Sequence, residues 1–307
     1  MIRVIPRSAL ERTLVPSRVI EAMRDALIAQ ARGECQTPMP MHLEVPAESA
    51  EVHIKSSYHR GGKYFVLKAA STFPGNLARG LSTGSGMMLL CSAETGEPVA
   101  LLDDGGHLTD VRTAAVTAMV VRELGRRDTV LGILGTGIQA RLQAAWHAQV
   151  LDLKEIWIWG RTPERVEQCR QDLSAWKVHV AESPAEVTRH CCLIVTVTAS
   201  RTPLLKAADI QPGTHVSAVG SDSAGKQELD PEILRGAELV LVDSLAQCAK
   251  LGELQHAPET SAVEIGAFCQ SPRSVSGITV ADFTGLGVED LFISELCVLC
   301  ASVAEKQ

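Results

Sequence analysis

The stretch VLGILGTGIQARLQ, residues 130–143, runs from a short apolar segment through a glycine turn into an amphipathic pattern. The order of strand, Gly135-x-Gly137-x-x-Ala140 and helix is typical of a dinucleotide-binding βαβ unit. Backbone N–H groups and the helix dipole at such a turn can hold a pyrophosphate. The same glycine spacing also joins ordinary strands and helices, so the sequence around it decides between the two interpretations.

The next predicted strand, EIWIWG, ends at Gly160, where a mononucleotide-binding fold contacts the ribose. Enzymes that use NAD usually present Asp or Glu there, whereas this chain has Arg161 and Thr162. A guanidinium and a hydroxyl suit a 2′-phosphate, so NADP(H) is favoured over NAD(H). The alternative is that Arg161 stacks on adenine or faces water.

Strands and helices alternate along residues 129–242, which predicts a parallel sheet covered on both faces. Residues 50–105 instead contain short alternating runs with a hairpin signal at ETGEP, typical of an antiparallel sheet. Helices are predicted over 8–32, 108–124 and 287–305, and the last is expected to fold back onto the first domain.

The predicted fold class is therefore α/β, with a Rossmann dinucleotide-binding domain plus an α+β substrate-binding domain. We expect the α+β domain to comprise residues 1–110 and 285–307, and the Rossmann domain to comprise residues 111–284.

Composition limits the function classes. The 307 residues carry a formal charge of −7, which disfavours nucleic-acid binding and leaves small molecules as the expected partners. No apolar run is long enough for a membrane span, and the N-terminus lacks a signal-peptide pattern, so we expect a soluble cytoplasmic protein. The nine cysteines are odd in number and scattered, which fits reduced thiols.

No metal site is predicted from local motifs. The histidines show neither HExxH nor HxH spacing. Cys297 and Cys300 form a CxxC within a predicted terminal helix, where ordinary packing is favoured over a metal or redox role.

The segment HIKSSYHRGGKYFVLKA, residues 53–69, contains a Gly61-Gly62 hairpin signal. A two-residue loop there places Lys55 opposite Lys68, with His53 on the same face as Lys55. Because opposed like charges destabilise a strand pair, we expect an anion between them, such as a substrate carboxylate. Their repulsion should lower the pKa of at least one lysine and make it a proton donor. Alternatively, the hairpin slips by one residue and water solvates both lysines.

Two further residues are candidates. In LTDVRTAAVTAM, residues 108–119, Thr109 or Asp110 can cap the helix, which leaves Arg112 in a first turn where the dipole disfavours a cation. Arg112 should therefore bind a substrate carboxylate or cofactor phosphate, unless it pairs with Asp104 or Asp110.

Asp222 follows a strand of the predicted Rossmann domain, at the sheet edge where ligands bind. It could relay a proton to a substrate nitrogen or could cap a following helix.

The strings LTDVRTAAVTAM, GILGTGIQARLQ, WGRTPER and VGSDSAGKQELD together resemble the ornithine cyclodeaminase and mu-crystallin family, over about residues 8–303. The resemblance implies a dimerising α+β domain beside a Rossmann domain. It also implies that Lys68 contacts the substrate, that Arg112 clamps its carboxylate and that Asp222 is the acid/base. Further positions match residues that line the cofactor: Thr83, Ile138, Gln139, Thr198, Val219, Gly220, Ser221, Asp222 and Lys226.

The chain departs from true ornithine cyclodeaminases at two positions. Those enzymes resemble NAD enzymes with an acid where this chain has Arg161, and they carry a glutamate near the position of His53 or Lys55. A lysine there suits a neutral ring with a carboxylate better than a diamine.

The function predicted from these residues is NADPH-dependent reduction of a small cyclic ketimine carboxylate, with Δ1-pyrroline-2-carboxylate to L-proline first and the piperideine homologue second. The alternatives are a cyclodeaminase with bound NAD and a protein that retains NADPH without turnover. The sequence does not decide the ring size of the substrate or whether the substrate is an open-chain imine.

The predicted catalytic residues are Lys68 and Asp222. The predicted substrate-binding residues are His53, Lys55, Lys68, Arg112 and Thr284. The predicted cofactor-binding residues are Thr83, Arg112, Gly135, Gly137, Ile138, Gln139, Arg161, Thr162, Thr198, Val219, Gly220, Ser221, Asp222 and Lys226.

Overall fold

A computed structural model describes residues 2–304, with side chains through Cys300. Met1 and residues 305–307, which the predicted first domain includes, lie outside the described residues. The chain forms two compact units. The first unit runs to Arg112 and resumes at Leu286, and the second unit spans Thr113–Gly285.

Within the described residues the secondary structure comprises seventeen strands and ten α-helices. The strands are β1 Arg3–Pro6, β2 Cys35–Gln36, β3 Met41–Val45, β4 Ala50–His59, β5 Tyr64–Thr72, β6 Gly84–Ser92, β7 Pro98–Asp103, β8 Val130–Leu134, β9 Glu155–Trp159, β10 Lys177–Val180, β11 Leu193–Thr196, β12 Arg201–Leu205, β13 His215–Ala218, β14 Gln227–Leu229, β15 Leu239–Val242, β16 Val263–Glu264 and β17 Thr279–Asp282. The helices are α1 Arg7–Glu11, α2 Pro16–Ala31, α3 His107–Glu123, α4 Ile138–His147, α5 Pro163–Asp172, α6 Pro184–His190, α7 Pro231–Arg235, α8 Leu245–Leu251, α9 Ile265–Gln270 and α10 Gly287–Ala304.

The first unit is built on a sheet with the strand order β1-β7-β6-β5-β4-β2, in which β3 also pairs with β4. The predicted antiparallel pairing is confirmed for every neighbour except β1, which runs parallel to β7. The single helix predicted over 8–32 is wrong, because β1 comes first and the helix is interrupted between α1 and α2. Pro16 explains the break, since it disfavours a helical conformation at Val15, which is extended.

One face of this sheet packs against α10, which contacts β4, β5 and β6 and also α2. The predicted return of the terminal helix to the first domain is thereby confirmed. The opposite face, which we call the open face, presents side chains that alternate with the helix-covered ones. Several of its large apolar residues are exposed, namely Val4, Met41, Leu43, Leu67 and Met87.

The second unit contains a sheet of parallel strands in the order β10-β9-β8-β11-β13-β17-β15-β16. Separate hydrophobic clusters cover its two faces: Leu131 and Ile133 belong to one, and Leu134 to the other. The strand order reverses between β8 and β11, which is the switch point where open α/β sheets bind ligands. The predicted Rossmann domain is confirmed. No helix within the described residues is long and apolar enough to cross a membrane.

Candidate active site

The hairpin of the first unit has the predicted register. Lys55 lies directly opposite Lys68, and Tyr58 lies opposite Phe65. Both lysines are buried, Lys55 at 8% exposure and Lys68 at 2%. The alternative of a slipped hairpin with solvated lysines is therefore wrong.

Helix α10 supplies carboxylates to Lys68 and Arg112. Lys68 Nζ lies 2.8 Å from Asp290 Oδ2. Arg112 donates from Nε to Asp290 Oδ1 at 3.2 Å and from Nη1 to Glu289 Oε2 at 2.8 Å. Sequence reasoning missed both acids, although two acids opening a helix that is otherwise largely apolar were a usable signal.

Gly287 allows this close approach of α10 to β4. A Cβ added at Gly287 would lie 2.4 Å from the backbone oxygen of Ser56. The two acids that follow Gly287 are thereby held against the hairpin. We call Lys55, Lys68, Arg112, Glu289 and Asp290 the cationic cluster. The anion expected beside the lysines thus includes the internal carboxylate of Asp290, and buried Asp104 also interacts electrostatically with Lys68.

The pKa of Lys68 is lowered to about 7, chiefly because the side chain is buried; the charge of Asp290 opposes the shift, and the charges of Arg112 and Lys55 contribute to it. The predicted lowering of a lysine pKa is confirmed, but its main cause is burial rather than repulsion between the two lysines. Burial would raise the pKa of Asp290, yet Lys68, Arg112 and Lys55 hold it below its ordinary value. The cluster therefore keeps Asp290 ionised beside a lysine that titrates near neutral pH.

Arg112 lies in the second turn of α3, because the helix begins at His107. The prediction that Thr109 or Asp110 caps this helix is wrong: both lie inside it, and the Asp104 carboxylate accepts the backbone N–H of Leu108 at 2.6 Å. Gly105 and Gly106 have positive φ values of 61° and 92°, so the chain turns and brings Asp104 to the helix N-terminus.

Two other predicted residues of the first unit lie on the same sheet. His53 lies opposite Ala70 in the register, two residues before Lys55 on β4. Its ring stacks on His42, with centroids 4.8 Å apart. Thr83 precedes β6, and its backbone oxygen accepts the N–H of Phe73 at 2.7 Å.

In the second unit, the glycine turn follows β8 at the switch point. Gly135 has a φ of 126°, and a Cβ there would lie 2.8 Å from the backbone oxygen of Val197. Gly137 is the N-cap of α4 without a side-chain cap, and a Cβ there would meet nothing within 4 Å. Arg141 stabilises the turn by donating to the Thr136 oxygen at 2.6 Å. The turn thus leaves open space at a helix N-terminus, as a bound phosphate requires.

The remaining predicted cofactor residues near this turn are accessible. Ile138, the first residue of α4, is 58% exposed, and Gln139 is half-buried. Arg161 and Thr162 follow the end of β9 and are both exposed. Arg161 makes no hydrogen bond or ion pair with any residue that the structure describes. Its guanidinium is available to an anion.

The neighbouring loops are held by Glu228, which sequence reasoning missed. Its carboxylate accepts from Thr198 N at 2.7 Å, Thr198 Oγ1 at 2.6 Å, Gly220 N at 2.8 Å and Thr196 Oγ1 at 2.7 Å. A Cβ at Gly220 would lie 1.9 Å from the Thr198 oxygen, so only glycine fits. Val219 donates its backbone N–H to the Thr196 oxygen at 3.0 Å. One buried acid thus positions both predicted cofactor loops.

Asp222 lies beyond β13, as predicted, and is partly exposed. Lys226 Nζ donates to Asp222 Oδ1 at 2.7 Å, and Ser223 Oγ donates to the same oxygen at 3.2 Å. Ser221 Oγ donates to the Lys226 oxygen at 2.9 Å and closes the loop. The segment continues into β14, so the alternative that Asp222 caps a helix is wrong.

Three more carboxylates are buried behind these loops. Glu253 accepts the N–H of Glu228 at 2.7 Å, and Asp282 accepts the N–H of Glu253 at 2.9 Å. Asp243 accepts the N–H of Thr284 at 2.7 Å, and Thr284, a predicted substrate residue, is itself buried. We call Glu228, Glu253, Asp282 and Asp243 the acid chain. The sequence signal for the acid chain is an acidic residue directly after an apolar strand, as in LVLVD.

Comparison with known proteins places these two sites in context. The sequence profile of the ornithine cyclodeaminase/mu-crystallin family matches residues 4–301. A provisionally named dehydrogenase of Rhizobium meliloti is 37% identical over 96% of this chain and 94% of its own. An uncharacterized cyclodeaminase of Sinorhizobium fredii is 36% identical over 84% and 83% of the two chains. A Δ1-pyrroline-2-carboxylate reductase of Bacillus thuringiensis is 30% identical over 84% of each.

Solved structures give the same assignment. An archaeal alanine dehydrogenase dimer with bound NAD has a TM-score of 0.88 and 28% identity, covering 100% of this chain and 97% of that one. The iminosuccinate reductase of Paracoccus denitrificans with NAD⁺ has a TM-score of 0.87 and 26% identity, covering 99% and 97%. The predictions of the fold class and of an oxidoreductase are confirmed. The chain belongs to the ornithine cyclodeaminase/mu-crystallin family.

Proposed function

We propose that this chain is an NADPH-dependent reductase of small cyclic ketimine carboxylates, with Δ1-pyrroline-2-carboxylate to L-proline as the main reaction and the piperideine homologue as a second. The observation that carries the proposal is the buried cationic cluster, in which Lys68 and Arg112 both contact Asp290 and Lys55 lies directly opposite Lys68. Such a cluster suits a substrate carboxylate and is unfavourable for a diamine cation. The pyrroline-2-carboxylate and iminosuccinate reductases among the relatives support this substrate class.

The second unit fits a nicotinamide dinucleotide. The turn at Gly135 and Gly137 offers space at a helix N-terminus, and the backbone at Gly220 admits no side chain. In the proposal Arg161 binds the adenosine 2′-phosphate and Thr162 contacts the same group. Glu228 holds the loops of Thr198 and Gly220 in place for the nicotinamide end.

The reaction adds a hydride to C2 of the imine and a proton to its nitrogen, which gives the cyclic amino acid. The dihydronicotinamide, when bound, supplies the hydride. Arg112 and Lys55 hold the substrate carboxylate and so orient C2. Lys68 donates the proton directly or through water, since its pKa of about 7 leaves it partly protonated at neutral pH. Asp222 is the alternative donor.

The direct test is an oxidation assay of NADPH and NADH against Δ1-pyrroline-2-carboxylate, Δ1-piperideine-2-carboxylate and iminosuccinate. We expect the fastest turnover with NADPH and the five-membered ring. Ammonia release from ornithine without added cofactor would favour a cyclodeaminase, the class named for the Sinorhizobium relative. Tight NADPH binding without turnover of any imine would refute the enzymatic proposal.

The cofactor choice is tested separately at Arg161. Because a hydrogen bond to a charged group contributes about 1.5–3 kcal/mol, Arg161→Ala should lower kcat/KM for NADPH by about 10- to 100-fold and leave NADH almost unchanged. Arg165→Ala, another exposed arginine nearby, is the matched control. Equal losses for the two coenzymes would contradict NADP selectivity.

We further propose that the open face of the first unit is the interface of a homodimer. Leu43, Leu67 and Met87 are large apolar residues exposed on this face, and large exposed apolar surfaces commonly mark protein–protein interfaces. The alanine dehydrogenase of similar structure is a dimer. Leu67→Glu should yield monomers in light scattering, whereas Val180→Glu, at an exposed site of the second unit, should not. A wild-type monomer would contradict this proposal.

A further inference from the structure

Three possible metal ligands converge on strands β3 and β4 of the first unit. His42 lies directly opposite His53 in the antiparallel register. Glu51 precedes His53 by two residues and therefore lies on the same face of the sheet. One ligand atom from each of the three side chains falls within 4.8 Å of the other two.

The distances suit a small cation. His42 Nε2 lies 3.5 Å and His53 Nε2 lies 3.6 Å from the same oxygen, Glu51 Oε2. In a tetrahedral zinc site with bonds of about 2.0–2.1 Å, neighbouring ligand atoms lie roughly 3.4 Å apart. The two separations from Glu51 are therefore close to those that a shared ion would impose, while the ligand atoms of the two histidines lie within 4.8 Å of each other.

The surroundings of His53 also favour a ligand. Its Nε2 is buried and makes no hydrogen bond within the part of the chain that the structure describes. A buried polar atom without a partner costs about 1–3 kcal/mol, so such an atom calls for an explanation. A cation between the two histidines would give this nitrogen a partner.

We propose that His42, Glu51 and His53 bind a divalent transition metal of the zinc class. Two imidazoles and one carboxylate are a three-ligand set that leaves one coordination position open. His42 is exposed, so the open position can be reached from solvent by water or by a carboxylate oxygen. Among the described residues this is the one group of three such side chains.

The local motifs read from the sequence predicted no metal, because the ligands come from two strands rather than from one HExxH or HxH motif. Their convergence depends on the pairing of β3 with β4, which no short motif encodes. The inference shares His53 with the predicted substrate-binding residues but uses neither the cationic cluster nor the cofactor residues, and zinc binding is measured without turnover.

The test is titration of the EDTA-treated full-length protein with ZnCl2 by calorimetry, together with visible absorption after Co²⁺ addition. We expect one ion per chain and the intense visible bands of four-coordinate cobalt. His42→Ala and His53→Ala should each weaken zinc binding by more than the roughly 10- to 100-fold that loss of an outer-shell partner costs. Glu51→Gln should also weaken it.

His179→Ala is the matched control, because His179 pairs with Glu155 at 2.9 Å but belongs to no group of three. It should bind zinc as the wild type does. His42 is exposed, so its variant should fold normally, which circular dichroism would verify. The proposal is overturned if wild-type protein binds no zinc, or if His42→Ala and His179→Ala bind it equally well.

Discussion

The cationic cluster and the acid chain bury charged groups in opposite ways. In the first unit, side chains of opposite charge neutralise one another, as Lys68 and Asp290 do at 2.8 Å. In the second unit, backbone N–H groups solvate the carboxylates, as they do for Glu253 and Asp282. Paired charges respond to an added anion, whereas an acid solvated by backbone fixes the loops that donate to it. The proposed function therefore uses the first arrangement to bind the substrate and the second to position loops.

The pKa values follow the same division. Burial lowers the pKa of Lys68 to about 7. Burial raises the pKa of Glu253 to about 9 and that of Asp282 to about 7. Burial therefore favours the neutral forms of Lys68, Glu253 and Asp282, in the first case by release of a proton and in the other two by its retention.

The largest effect is expected at Lys68. If it donates the proton, Lys68→Met should lower kcat by about 10²- to 10⁴-fold, the usual contribution of general acid catalysis. The wild-type kcat/KM should fall as the pH rises through about 7, and the variant should lack this dependence. Lys63→Met, at an exposed site of the same hairpin, is the control. A variant that keeps its turnover would transfer the proton donor to Asp222.

Asp290→Asn tests the cationic cluster, in which side chains of opposite charge are paired. Removing one partner leaves Lys68 and Arg112 near each other with less neutralisation, and breaking a buried pair costs about 3–5 kcal/mol. Hydrogen exchange of peptides from β5 and α10 should show that loss in protection. Glu167→Gln, which breaks an exposed pair with Arg170, should leave the stability almost unchanged. Similar protection in both variants would mean that the cluster contributes no stability.

The sequence predicted the elements that depend on local spacing. Gly61-Gly62 fixed the register that opposes Lys55 and Lys68, and the glycine turn located the start of α4 at Ile138. The acids that complete each site could not be predicted. Asp290 is 222 residues from Lys68 in the chain, and Glu228 meets Thr198 only after two loops fold together. Contacts of this kind depend on tertiary packing, which hydrophobic periodicity and turn signals do not report.

Glu228→Gln tests the acid chain, in which backbone N–H groups donate to buried carboxylates. The amide keeps the shape of the carboxylate but places an N–H group against N–H and O–H donors, which costs about 1–3 kcal/mol. Because Glu228 acts through the loops of Thr198 and Gly220, KM for NADPH should rise more than kcat falls. Glu238→Gln is the control, since Glu238 accepts one backbone bond at the surface. A fall in kcat alone would argue against a positioning role.

The smallest effect, taken per pH unit, is the pH dependence of stability, and its sign should differ between the units. Between pH 7 and 10.5 the unfolded chain keeps a proton on Lys68 that the folded chain releases, so stability of the first unit rises with pH. Between pH 4.5 and 9 the folded chain holds a proton on Glu253 that the unfolded chain has lost, so stability of the second unit falls.

Each slope is at most about 1.4 kcal/mol per pH unit for one proton. All four tryptophans lie in the second unit, so denaturant unfolding followed by their fluorescence reports on that unit. Hydrogen exchange of β4 and β5 peptides reports on the first. Glu253→Gln should flatten the falling slope and leave the rising one, while Lys68→Met should do the reverse. If stability changes with pH in the same direction in both units, the cationic cluster and the acid chain do not differ in how folding changes their protonation.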